Sequence, residues 1–217
     1  MVKLSDLGFS EGVIVETIVT TRGADGQPNA APMGVIMENE RRLVIRLFNT
    51  SLTNKNLHSN RNAVVNVTSD IDLFYKSALK EANPEGKLPS NWFVKAEAVN
   101  APKLQAANAS VEVSLAGEKP LGAERTEVTC NVKLINATKS LPKAYCRGQF
   151  ATIEAIIHAT RVKIFLKGNE KQKAQAQKLL EKIDICRDVV NRSAPSSRYA
   201  EIMTEINAMI EHWMGNA

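Results

Sequence analysis

Apolar positions come in short, closely spaced runs through the first part of the chain and in helical stripes through the last. VIVETIVTT (13–21) is rich in β-branched residues and predicts a strand. RGADGQPN (22–29) carries the Gly, Asp and Pro of a hairpin turn, and AAPMGVIM (30–37) predicts the returning strand. ENERR turns again; LVIRLF (43–48) and AVVNVTS (63–69) follow as third and fourth strands. Strands at this spacing predict an antiparallel barrel or sandwich. The stretch 70–91 is less regular: DLFYKSALKEA predicts a short helix and NPEGKLPSN a loop. WFVKAEAVNA (92–101) and RTEVTCNVKLINATK (125–139) predict two more strands. ATIEAIIHATRVKIFL (151–166), dense in Ile, Val and Thr, predicts a long strand, with a helix over 151–159 as the alternative.

The pattern then changes period. Residues 168–193 combine strong helix formers with Leu179, Leu180, Ile183, Val189 and Val190. APSS breaks that helix, and 198–215 sets Ile202, Ile206, Met209, Ile210 and Trp213 at helical spacing. Two helices joined by a short loop predict an antiparallel pair, with the Met and Trp stripe as core. The fold class expected is mainly β with α: a barrel domain over 1–166, irregular at about 70–91, and a helical segment over 167–217.

Composition narrows the functions open to such a chain. Of 217 residues, 44% are apolar, which supports a sizeable core and argues against disorder. The net charge of +5 comes from 28 basic and 23 acidic residues mixed along the chain, not from the basic stripe of a nucleic-acid binder. A phosphorylated small ligand suits such a protein. Three separated cysteines and three histidines without ligand spacing offer neither a disulfide framework nor a metal site. No run is apolar for the roughly 20 residues of a membrane helix, and the N-terminus lacks a signal-peptide core. The expectation is a soluble cytoplasmic protein that binds neither membrane nor nucleic acid.

The candidate chemistry lies in NTSLTNKNLHSNRN (49–62), a connection crowded with hydroxyls and amides and lacking Gly and Pro. A helix with Thr53 as its N-cap would fill it, though Asn56 at N3 cannot complete a capping box. Its free amides and dipole, with the Ser51 and Thr53 hydroxyls, make an anion site. The alternative is a capped polar turn with no ligand. Arg46, inside a half-buried strand, needs a phosphate or an adjacent carboxylate. Asn66 needs a polar ligand edge or backbone carbonyls. Pro32 implies a sheet edge or bulge, and Gly34 removes bulk, either for a planar ligand or for barrel closure.

In order, NAAPMGV, LVIRLFNTSLTNKNL and AVVNVTSD resemble the FMN-binding split barrel of flavin reductase-like and pyridoxine phosphate oxidase-like proteins. With EAIIHATRV and the helical tail, the chain is most similar to a largely archaeal branch, domain-of-unknown-function family 447. The resemblance implies an antiparallel split β-barrel with a C-terminal helical pair and FMN as cofactor. It implies that Ser51, Thr53 and Asn56, with Thr50 adjacent, hold the phosphate, and that Pro32, Met33 and Gly34 line the flavin edge. Arg161 is a further phosphate candidate. It also implies a homodimer with FMN at the interface, and an oxidoreductase drawing on a nicotinamide or deazaflavin donor. No GxGxxG is present to hold a nicotinamide in a Rossmann domain. The alternatives are a non-catalytic module that stores or senses FMN, and an interaction protein that uses its helical pair. No acid, base or nucleophile is assigned.

Overall fold

Alternation in the first half of the chain folds as a wall with one apolar side. The computed structural model describes residues 2–138 and 146–215. Two compact units emerge: Met1–Asp70 with Asn83–Leu141, and Ile71–Ala82 with Pro142–Ala217.

The first unit is an antiparallel barrel. β1 (Ile14–Arg22), β2 (Pro28–Asn39), β3 (Arg42–Phe48), β4 (Asn62–Val67), β7 (Ala109–Leu121) and β8 (Arg125–Ala137) close in the order β1-β2-β3-β8-β7-β4. Every second residue points inward: Leu43, Ile45 and Leu47 of β3 are buried between exposed or half-buried neighbours. With Val19, Val35, Val65, Val111, Val113 and Val128 they make one core. Burying each such side chain is worth about 1.5–3 kcal/mol. Helix α1 (Leu52–Asn60) adds Leu57 to that core between β3 and β4. It stops at Arg61, whose left-handed φ of 58° lets its amide reach the Leu57 carbonyl at 2.9 Å.

A two-stranded hairpin, β5 (Phe93–Lys95) and β6 (Pro102–Leu104), covers the outside of β4 by packing Ala96 and Ala101 on Val64. The predicted strand 92–101 is therefore mostly a turn. The buried Glu112 carboxylate of β7 accepts the amides of Glu97 and Ala98 and takes them out of any ladder. The strand predicted over 125–139 is β8; Lys139 lies outside the described residues.

The second unit is helical: α2 (Ile71–Ala78), α3 (Arg147–Phe165), α4 (Glu170–Ser193) and α5 (Arg198–Gly215). The strand expected over 151–166 is corrected to helix α3. Its β-branched residues favour a strand, but Thr152, Ala155, Ile156, Ala159 and Val162 recur at helical spacing and are all buried. Packing of that stripe overrides the local propensity. With α3 in the helical unit, the division falls before it rather than at 166–167, and residues 71–82 join the helices. Asn169 and Gln172 start α4 with a reciprocal capping box at 3.0 Å each way. The expected α4–α5 pair is present, but each helix packs more extensively on α3 than on the other. Ile202, Ile206 and Ile210 are core, while Met209 and Trp213 line a groove with Tyr75 and Lys163. No helix among the described residues is long and apolar enough to cross a membrane.

Candidate functional site

The barrel wall parts between β2 and β3. Their ladder runs from Asn39 opposite Arg42 to Val35 opposite Ile45, where it ends. Beyond that pair, Arg46, Leu47 and Phe48 stay with β8, opposite Glu127, Thr126 and Arg125. Residues 28–34 of β2 stay with β1, from Gly34 opposite Glu16 to Pro28 opposite Arg22. A strand alternates its N–H and C=O groups between its two edges, so among the described residues 28–34 has one edge without a neighbouring strand. Pro32 lies in this stretch, where a missing N–H disrupts no second ladder. The bulge of β2 is at Met37–Asn39, away from Gly34. A Cβ on Gly34 would come within 2.7 Å of Ile14 Cγ2, so glycine keeps this strip of the outer face shallow. Met33 packs against the barrel core and its carbonyl accepts the Thr17 hydroxyl at 3.1 Å.

Helix α1 begins at the foot of this parting. Its N-cap is Ser51 rather than Thr53: the Ser51 backbone is extended (φ −71°, ψ 143°) and its hydroxyl oxygen accepts the Asn54 amide at 3.2 Å. Thr53 instead lies in the first turn, buried. Its Oγ1 accepts from Asn29 Nδ2 at 3.3 Å, and Asn56 Nδ2 donates to Thr21 Oγ1 at 3.0 Å. These bonds clamp α1 to the β1–β2 hairpin. The amides of Leu52 and Thr53 have no partner among the described residues, as the first turn of a helix leaves them. Thr50 is exposed and Ser51 half-buried beside them. Asn54 donates Nδ2 to the Asn49 carbonyl at 3.3 Å, which holds its amide at the helix head, and its buried Oδ1 has no hydrogen-bond partner.

The other sequence candidates fall elsewhere. Arg46 faces outward with Phe48, and its Nε meets Glu127 Oε2 at 2.9 Å; Lys119 Nζ holds the other oxygen at 2.8 Å. Those cations, Lys119 first, keep the Glu127 carboxyl below its ordinary range. The adjacent carboxylate thus answers the charge of Arg46. Asn66 is saturated: Nδ2 donates to the carbonyls of Ile18 (2.8 Å) and Val64 (3.2 Å) and to Thr20 Oγ1 (3.0 Å), while Oδ1 accepts from Leu104 N at 2.8 Å. Arg161 is exposed on α3, in the helical unit. Cys130 is buried, which pushes its thiol up to about 12 and makes it inert. Asn29, Asn54 and Arg125 are not singled out as candidates by the sequence, although Asn29 begins NAAPMGV and Asn54 lies in the polar connection. Arg125 lies over the Phe48 ring, 4.4 Å from its centroid, and nothing in its local sequence marks it.

Comparison with known proteins identifies the family. The model of a protein family of unknown function, the DUF447 N-terminal domain, matches residues 15–138. An FMN-bound DUF447 protein from Methanosarcina mazei is 27% identical and superposes with a TM-score of 0.74, over 94% of this chain and 98% of its own. The 2-nitrobenzoate 2-nitroreductase NbaA of Pseudomonas fluorescens is more distant, at 19% identity and TM-score 0.49, over 60% of this chain and 68% of that one. Nitrilotriacetate monooxygenase component B of Bacillus cereus is similarly remote, at 18% and 0.48, over 64% and 78%. Likenesses at that level carry no functional argument. No curated protein matches the chain. The family model spans more than half of the sequence, from early in β1 to the residue after β8, and the chain belongs to the DUF447 family.

Proposed function

We propose that this protein is an FMN-binding flavoprotein, with the flat ring along the open edge of β2 and the phosphate at the head of α1. One observation carries the reading: among the described residues, a strand edge without a neighbouring strand leads to helix amides without a partner. The likeness to an FMN-bound protein of the same family supports it.

The donor set fits a phosphate ester. The Leu52 and Thr53 amides and the helix dipole favour a dianion. Ser51 accepts the Asn54 amide through an oxygen lone pair, which leaves its O–H to donate outward. Thr50 supplies a second exposed hydroxyl. Each charge-assisted bond is worth about 1.5–3 kcal/mol. Thr53 and Asn56 act indirectly, by fixing α1 on the hairpin. Beside the ring, Pro32, Met33 and Gly34 offer backbone groups and little bulk.

Bound FMN supplies hydride and single-electron chemistry, and the chain positions it and limits its contact with water. The reaction we assign is reduction of a small substrate or of free flavin, with electrons from a nicotinamide or reduced deazaflavin. The working form is a cytoplasmic homodimer in which the second copy completes the site.

Purified protein should carry flavin absorbance or acquire it on titration with FMN, and light scattering should give twice the chain mass. Stopped-flow mixing with NADH, NADPH or a reduced deazaflavin should reduce bound flavin faster than free FMN. If no donor does so, a module that stores or senses FMN replaces the enzyme. Protein that stays colourless, with no thermal shift on adding FMN, leaves an interaction role for the helical unit.

A further inference from the structure

We infer that Arg125 is the cation of the phosphate site and makes it select phosphorylated over unphosphorylated flavin; this rests on the FMN reading above. Arg125 opens β8 directly opposite Phe48, the last residue of β3. Its guanidinium sits 4.4 Å from the Phe48 ring centroid. That contact orients the planar group while using none of its N–H donors. The side chain is exposed and forms no ion pair or hydrogen bond among the described residues, including with the preceding Glu124. Arg46 and Lys119, on the same outer face, are by contrast both committed to Glu127.

The turn that carries Arg125 is stitched to the turn that enters α1. Asn49 N donates to the Glu124 carbonyl at 2.9 Å, Asn49 Nδ2 to the Ala123 carbonyl at 3.1 Å, and the Thr126 hydroxyl to Asn49 Oδ1 at 2.8 Å. Asn49 also accepts the Asn54 side chain whose buried Oδ1 is unfilled. The strand end that carries this guanidinium is thus tied through Asn49 to the turn of the exposed Thr50 hydroxyl, which leads into the Leu52 and Thr53 amides that have no partner among the described residues. The ligand that uses amides, hydroxyls and guanidinium together is a dianionic phosphate ester.

The test is fluorescence titration of FMN and riboflavin against wild type, Arg125→Gln and Arg125→Lys, at low and high salt. Arg125→Gln is expected to weaken FMN about 10- to 100-fold and to move riboflavin by less than about twofold, as loss of one charge-assisted contact requires. Its FMN affinity should also depend less on salt than that of wild type. Arg125→Lys, a point charge without the fork, should fall between the two. Melting temperatures of all three should agree, since the side chain is exposed. Unchanged FMN affinity in Arg125→Gln, or an equal loss for both flavins, overturns the role of Arg125 and leaves the FMN reading standing. Wild type that binds neither flavin removes both.

Discussion

Two clusters of buried polar side chains in the barrel unit are treated differently. On the β4–β7 wall, Asn66 and Glu112 lie on the outer face under the β5–β6 hairpin. Asn66 makes four hydrogen bonds to the protein, and Glu112 accepts backbone amides from the covering turn. At the foot of the β2–β3 parting, Thr21, Asn29, Thr53 and Asn56 pair among themselves, while two amides and Asn54 Oδ1 have no partner among the described residues. Burial of a polar group therefore does not mark a site. What distinguishes the second region is a helix head with open amides placed beside a strand edge that has no neighbouring strand among the described residues.

The sharpest way to break this comparison is to exchange the consequences. Asn66→Ala strips Leu104 N and the Ile18 carbonyl of buried partners. It should cost about 2–4 kcal/mol of stability in denaturant unfolding and leave FMN affinity of the folded protein unchanged. A variant of normal stability that binds FMN poorly would move Asn66 into the site. Gly34→Val should do the reverse. The exposed Ile14 side chain moves aside, so stability changes little, while FMN affinity drops by about 1–3 kcal/mol as the strip beside the ring fills. Calorimetric binding and a melting curve on the same sample separate the two costs.

A subtler change tests the helix head. Leu52 is the first helical residue and Ser51 is already extended, so Leu52→Pro keeps α1 and removes one free amide. FMN affinity should fall by about 1.5 kcal/mol, and riboflavin affinity should not move. The smallest effect concerns Glu127. Its carboxyl is held low in the folded protein, so its pairing stabilises above the ordinary value of 4.5 and fades as pH falls through the lowered one. Glu127→Gln should cost under about 1 kcal/mol at neutral pH. In acid, unfolding curves of variant and wild type should converge, and FMN affinity should be indifferent throughout.

Much of the architecture is legible in the sequence, for reasons that also explain what is not. β1 to β4 and β8 alternate with β-branched residues, and α4 and α5 repeat at helical spacing; both patterns are local. Strand β7 goes unread although Val111, Val113 and Leu115 alternate with Ser110, Glu112 and Ser114, because the run is short and the polar AGEKPL follows; the burial of Glu112 depends on the β5–β6 turn it holds. Helix α3 misleads because β-branched residues fill a stripe whose period only packing reveals. The candidate site is legible only as a region of the chain. The polar connection after the third strand does open a helix, and Pro32 and Gly34 do lie on a free edge. The parts within it are not legible. Whether Thr53 and Asn56 face the ligand or the hairpin depends on how α1 seats against Thr21 and Asn29, which are distant in sequence. Arg125 joins the same corner only through strand pairing.

The most direct test is a crystal structure of the protein grown with FMN. The expected density has the ring against residues 28–34 and the phosphate on the amides of Leu52 and Thr53. A flavin bound elsewhere on the chain, with its phosphate clear of α1, would contradict the account.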